Sequence, residues 1–155
     1  MKILSPILII VFSMFSCFIS GQQPSRSWKD LGASENEFWF ATNEAIEVAE
    51  NVLLLQKNVG GWAKNIQPQN FTNEDILSLI ADKKKAVGAT IDNGATTTEM
   101  IFLSKIYKSN KKEKYRTAFL KGLDYLLKAQ YDNGGWPQFY PLRKGYYTHI
   151  TFNDD

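Results

Sequence analysis

Apolar residues recur at helical spacing in four stretches of this chain, and almost nowhere in the alternating pattern of a strand. Phe38, Ala41, Ala45, Val48, Ala49, Val52 and Leu53 fall on one helical face. Ser34 with Glu37 three residues on is a capping box, so a first helix is predicted from there to about Gln56, ending before Gly60-Gly61-Trp62. Thr72, Asn73 or both can cap a short helix bearing Ile76, Leu77 and Ile80, with Lys83 to Lys85 as its solvated end, where basic residues suit the macrodipole. Thr96 with Glu99 is a second capping box, opening a helix through Met100, Leu103 and Tyr107. Asn110 with Glu113 starts the next, which is expected to turn Tyr115, Ala118, Phe119, Leu123, Leu126 and Leu127 inward and to stop near Gln130. Gln22 to Gly32 reads as a polar linker, and the only candidate strand is Tyr147 to Phe152.

An internal repeat lies inside this pattern. Gly60-Gly61-Trp62 aligns on Gly134-Gly135-Trp136 at an offset of 74 (134 − 60), which also pairs Val52 with Leu126, Leu53 with Leu127 and Gln56 with Gln130. Each unit ends in an apolar helix, then Gln, a polar turn and Gly-Gly-Trp. Helices often end at glycine by chance, but a matched Gln and Trp on both sides argue for repetition. Helix pairs that cannot bury their own faces must stack on neighbours, which favours an all-α fold of the (α/α) toroid or barrel type.

The amino terminus changes the picture of where the chain works. Met1 to Gly21 has Lys2, an apolar run from Ile3 to Ile19 and an Ile19-Ser20-Gly21 cleavage site, the pattern of a secretory signal. Pro6, three serines and the lack of a basic flank argue against a stable membrane span. Cys17 is the sole cysteine, so no intramolecular disulfide is possible; its lipobox-like setting is the weaker alternative to a filler role. The expected destination is secreted, periplasmic or cell-surface. The expected divisions are a signal over 1–21, a linker over 22–33 and a helical domain over 34–155.

Composition is that of a globular protein, with 44% hydrophobic and 14% aromatic residues. A formal charge of +2 gives no ground for a nucleic-acid partner. The sequence holds no Walker motif, zinc spacing or Gly-x-Ser-x-Gly. His149, the only histidine, is expected to be a hydrogen-bonded structural residue.

Chemistry concentrates in two places. Asp92-Asn93-Gly94 lies outside the Thr96 cap, and Asn153-Asp154-Asp155 closes the chain. Both clusters suit turns and caps, and both carry the hard oxygens that calcium takes in sixes to eights. Between them, Gln130 to Phe152 packs Trp136, Phe139, Tyr140, Tyr146 and Tyr147 into a Gly/Pro-rich loop. Such rings serve as sugar platforms or as anchors of their turns; for the repeated tryptophans anchoring is at least as good a reading.

The strings TIDNGATTTEM (Thr90 to Met100), DNGGWPQFYPL and YYTHITFNDD resemble the pectate lyases of polysaccharide lyase family 10. The resemblance runs from about Asn36 to Asp155 and stops in mid-domain, so the barrel is expected to be incomplete. It implies Asn93 and Asp154 as calcium ligands and Asp92 beside them as a catalytically important carboxylate. Trp136 and Tyr140 are candidates for substrate binding. The family's proton-abstracting base is an arginine well downstream of Asp155; Arg143 and Lys144 do not match it and are expected in a solvated loop. The resemblance thus implies cleavage of polygalacturonate (pectate) by calcium-assisted β-elimination, in an expected monomer. Two alternatives are an α/α-barrel glycoside hydrolase using paired carboxylates such as Asp92 and Asp154, and a non-catalytic pectin-binding helical module.

Overall fold

The structure, a computed structural model, describes residues 26–34, 36–83 and 87–150, less the side chains of residues 73 and 79. The expected signal, Cys17 and the Asn153–Asp155 cluster lie outside these residues. The described chain is all-α: helices α1 (Trp28–Ala33), α2 (Asn43–Leu55), α3 (Asn73–Lys83), α4 (Thr97–Asn110) and α5 (Glu113–Ala129), joined by loops with short 3-10 turns. The candidate strand at Tyr147 is instead a 3-10 turn, Tyr146–Thr148, followed by a single bridge between Pro137 and Ile150.

The first helical segment differs most from expectation. Residues 28–33 of the supposed linker form α1, capped by Ser27, whose side chain accepts from the Asp30 amide. Trp28 and Leu31 are buried in the core. Ser34 closes α1 rather than opening α2, and the Lys105 ammonium donates to the Gly32 and Ser34 carbonyls at 2.9 and 2.8 Å. A cation at a helix C-terminus satisfies carbonyls that have no partner of their own. Helix α2 therefore begins later, capped by the Thr42 hydroxyl on the Ala45 amide at 3.2 Å. Phe38, expected inward, precedes the helix and is 89% exposed. In α3, the Thr72 hydroxyl and the Asp75 carboxylate cap reciprocally. Leu77 and Ile80 are exposed on that helix. Lys83 reaches back to the Leu53 carbonyl instead of ending in solvent.

Helices α4 and α5 form a hairpin, reversed by Lys111 in the left-handed conformation at the end of α4. The α5 stripe that packs is Tyr115, Ala118, Gly122, Tyr125 and Ala129. Its small members allow close approach: a methyl at Gly122 would meet Met100 Cγ at 2.9 Å and the Trp62 ring at 3.0 Å. Leu123 and Leu127, expected inward, lie beside this stripe and are exposed together with Leu120.

The repeat is real at atomic detail. Gln56 Nε2 donates to the Gly60 carbonyl at 2.8 Å, and Gln130 Nε2 to Gly134 at 2.9 Å. The Trp62 indole donates to the Val52 carbonyl at 2.8 Å, and Trp136 to Leu126 at 2.9 Å. Each pair is offset by 74 residues (134 − 60, 126 − 52). The turns differ in what they receive. Gln56 makes a second bond, to the Ala118 carbonyl of α5 at 2.8 Å, so α5 seats on the first turn. In the second turn an added Cβ at Gly134 would meet nothing within 4 Å among the described residues, while Gly135 packs against Ile150.

Glu99 joins α1 to α4. Expected as a partner of a Thr96 cap, it is buried at 3% exposure and accepts the Trp28 indole N–H on Oε1 at 2.7 Å. Its Oε2 has no hydrogen-bond partner. Burial pushes its carboxyl up to about 7, opposed by its own amide, the Trp28 indole and the Thr96 amide.

Two predictions follow from these contacts. Gly60 and Gly134 both have positive φ, +106° and +86°, but an added Cβ would lie 2.4 Å from the Lys121 carbonyl oxygen at Gly60 and within 4 Å of nothing at Gly134. Gly134→Ala should cost only the backbone conformation, about 1–2 kcal/mol. Gly60→Ala should cost at least about 2 kcal/mol more; equal losses in urea melts would contradict the seating of α5. For Glu99, the native carboxyl holds its proton longer than the unfolded one. Its contribution is therefore fully present below pH 4.5 and falls as pH rises from 4.5 to about 7. The fall amounts to about 3 kcal/mol. Glu99→Gln should flatten stability over that window; an unchanged pH slope would show that Glu99 is not buried against Trp28.

Candidate active site where three loops join

Three loop segments meet above the ends of the helices: residues 62–64 after the first Gly-Gly turn, 90–94 before α4, and 136–139 after the second turn. Thr90 bridges Trp62 on one side and Phe139 on the other. Its amide donates to the Trp62 carbonyl at 2.9 Å, and the Ile91 amide donates to Gln138 at 3.3 Å. Thr90 and Thr96 are fully buried. The Thr96 hydroxyl accepts the Trp62 amide at 3.0 Å and donates to the Thr90 carbonyl at 2.8 Å. The Thr90 hydroxyl donates to the Gln138 carbonyl and accepts the Asp92 amide. Thr96 thus stands at the N-cap position but spends its hydroxyl on the loops, making no side-chain cap.

Asp92 follows from this network. It opens a 3-10 turn, Asp92–Gly94, and is 4% exposed. Its Oδ2 accepts from the Lys64 ammonium and from the Gln138 amide. A buried carboxylate needs both charge and hydrogen-bond compensation, and here one residue from each repeat unit supplies it. Asn93 is exposed and left-handed, at φ 55° and ψ 37°, a conformation that asparagine tolerates better than most residues. With Lys64, Asn65 and Glu99 it lines a cleft of about 100 Å³. A wider hollow of about 1030 Å³ near Phe38 and Lys108 shares no residue with this site.

Cations and rings crowd the rim. The Lys64 ammonium lies 5.8 Å from the Phe139 ring centroid. The Arg143 guanidinium, exposed in a loop as expected, sits over Phe139 at 4.9 Å and over Tyr147 at 5.1 Å. Tyr146 lies against Tyr147, with centroids 4.0 Å apart. Its hydroxyl is pushed up by the hydrogen bond with Tyr147 first, and also by the Asp92 charge.

Of the residues singled out from sequence, Asp92 and Asn93 stand together, and Asp154 lies outside the described residues. Trp136 is half-buried, its indole N–H engaged by Leu126 as an anchor. Tyr140 is half-buried, edge-on to Tyr125 at 5.9 Å. His149 is exposed at its place after the last turn. Sequence reasoning passed over Lys64 and Gln138, although the repeat offset pairs them (138 − 64 = 74).

Asp92 and Asn93 fit calcium in donor type. Both are hard oxygens, the Asn93 side chain is at the surface, and the Asp92 oxygen already attracts a cation. Among the described residues no group of three or more His, Cys, Asp and Glu side chains is placed to hold a metal. Two such donors would supply only a fraction of the six to eight oxygens that calcium takes.

The family model described as pectic acid lyase matches residues 56–155. No curated protein sequence matches the chain. Among solved structures, it is similar to a family 10 polysaccharide lyase from Cellvibrio cellulosa, at 37% identity and a TM-score of 0.61, over 83% of this chain and 34% of that one. A point mutant of family 10 polysaccharide lyase from the same organism, in complex with trigalacturonic acid, matches at 39% identity and a TM-score of 0.60, over 82% and 38%. The chain thus spans little more than a third of the length of these relatives. The family match covers well over half of the sequence, and the chain belongs to the pectic acid lyase family.

Proposed function

We propose that this protein is a pectate lyase that cleaves polygalacturonate by calcium-assisted β-elimination, and that Asp92 and Asn93 form the chain's contribution to its reaction centre. The observation that carries this reading is the Asp92–Asn93 pair, fixed on a buried threonine network beside Lys64. Support comes from the relative whose solved complex contains trigalacturonic acid. Polygalacturonate carries a carboxylate next to the carbon that loses its proton. A bare acidic site would repel that carboxylate. Asp92 and Asn93, with Asp154 from the closing segment, are proposed to hold calcium, which would draw charge from the uronate carboxylate as a Lewis acid. The chain's own residues do the rest of what is proposed here. Thr90 and Gln138 fix Asp92, the left-handed turn presents Asn93 at the surface, and the half-exposed rings of Trp136 and Tyr140 offer apolar faces to sugars. The proton-abstracting base is not assigned to any residue of this chain.

The domain that does this work is proposed to begin at α1 rather than at Ser34, because Trp28 and Leu31 belong to the same core as α4. Export, through the signal pattern of residues 1–21, and a monomeric state are part of the same proposal. No helix among the described residues is long and apolar enough to cross a membrane.

The test is formation of the unsaturated, ultraviolet-absorbing product from polygalacturonate in the whole protein. Asp154→Ala should abolish it while leaving the thermal melt nearly unchanged, and near-normal turnover by this variant at low calcium would end the assignment. Asn93→Ala should raise the calcium needed for half-maximal rate; an unchanged requirement would remove Asn93 from the ligands. Cleavage giving reducing ends without the unsaturated product would point to hydrolysis instead.

A further inference from the structure

Lys64 and Gln138 occupy equivalent places in the two repeat units, each two residues after its Gly-Gly-Trp tryptophan, and both donate to the same oxygen, Asp92 Oδ2. They are not equivalent in charge or setting. Gln138 is buried, whereas the Lys64 side chain is 31% exposed on the wall of the cleft that Asn93 also lines. At the equivalent place in the second unit a neutral amide donates to the same oxygen, so what residue 64 adds to that contact is a charge. Its charge neutralises a carboxylate that is 97% shielded from solvent along its side chain, and it does so from the side that opens to water.

We propose that Lys64 is a built-in competitor for the cation at Asp92: its ammonium holds the carboxylate in the metal-free protein and must leave when a divalent cation engages that oxygen. The proposal rests on the reading of Asp92 and Asn93 as a calcium site and says what regulates it. Two cations cannot share one carboxylate oxygen without strong repulsion, and a like charge at about 4 Å lowers the binding of a divalent ion by at least tenfold even at high dielectric. Lys64 has somewhere to go. Its stem borders the open cleft, into which the ammonium can swing. Lys64 thereby keeps the site from binding calcium tightly while satisfying the buried charge in its absence.

Calcium chloride titrated calorimetrically into the metal-free whole chain tests this, with no dependence on turnover. Lys64→Gln, which copies the Gln138 contact, should bind calcium at least about tenfold more tightly than wild type. Lys64→Arg keeps the charge and should stay within about threefold of it. Circular dichroism reports whether each variant folds. A second measurement uses wild type alone: acetylation of Lys64, read by mass spectrometry, should increase when saturating calcium releases the ammonium. Calcium affinity in Lys64→Gln equal to or below wild type, with Asn93→Ala still weakening it, would overturn the competitor and leave the cation site standing. Lys64 reactivity unchanged at saturating calcium would do the same. Calcium binding indifferent to both Asp92→Asn and Asn93→Ala would overturn the site reading, and the competitor with it.

Discussion

Two buried hydroxyl groups hold the rim of this protein together. Thr96 takes the Trp62 amide and gives its proton to the Thr90 carbonyl; Thr90 gives its own to Gln138 and takes the Asp92 amide. Each hydroxyl is a donor once and an acceptor once, in a place closed to solvent. Buried polar groups are costly unless satisfied, so this arrangement permits little slippage between the three loops. Asp92 can be buried because its surroundings are already fixed. Its neighbour Asn93 can be exposed because the same turn projects it outward.

The Gly-Gly-Trp turn does a related job for the helices. Its tryptophan ties the turn to the helix just finished, and its glutamine reaches both the turn's own carbonyl and, in the first unit, the Ala118 carbonyl of α5. A methyl on Gly61 would fall 2.7 Å from the Tyr125 ring, so the backbone itself is part of the contact surface. Helix stacking is thereby set by side-chain donors on backbone carbonyls and by close approach, beyond the apolar area buried.

Periodicity made α3, α4 and α5 legible, and the repeat made both turns legible, because each leaves a regular imprint on residue type. Helix α1 was not, since six residues carrying Trp28 and Leu31 are too few to show a period. Ser34 looked like a cap because serine caps helices, but the chain uses that position to end one. Thr96 and Glu99 had the spacing of a capping box, yet the hydroxyl serves the loops and the carboxylate serves Trp28. On α5 Tyr115 and Ala118 are buried and Phe119 and Leu126 pack against the core, as the pattern had it, but Leu123 and Leu127 stay exposed, and the closest approach falls to Gly122, which a hydrophobicity pattern weights lightly. Asp92 and Asn93 were found by motif. Lys64 was missed because lysine beside an Asn-rich loop reads as solvated, and only the fold brings it to a buried carboxylate 28 residues away.

The convergence of Lys64 and Gln138 on one oxygen bears on how such a centre could arise. A single helix-and-turn unit contributes one of these two donors. Duplication contributes two donors aimed at the same atom, and the seam between copies becomes chemically distinct from either copy. With both positions present, one serves as a neutral strut and the other supplies the charge. Functional divergence then begins at the junction of the copies, where symmetry supplies a spare residue.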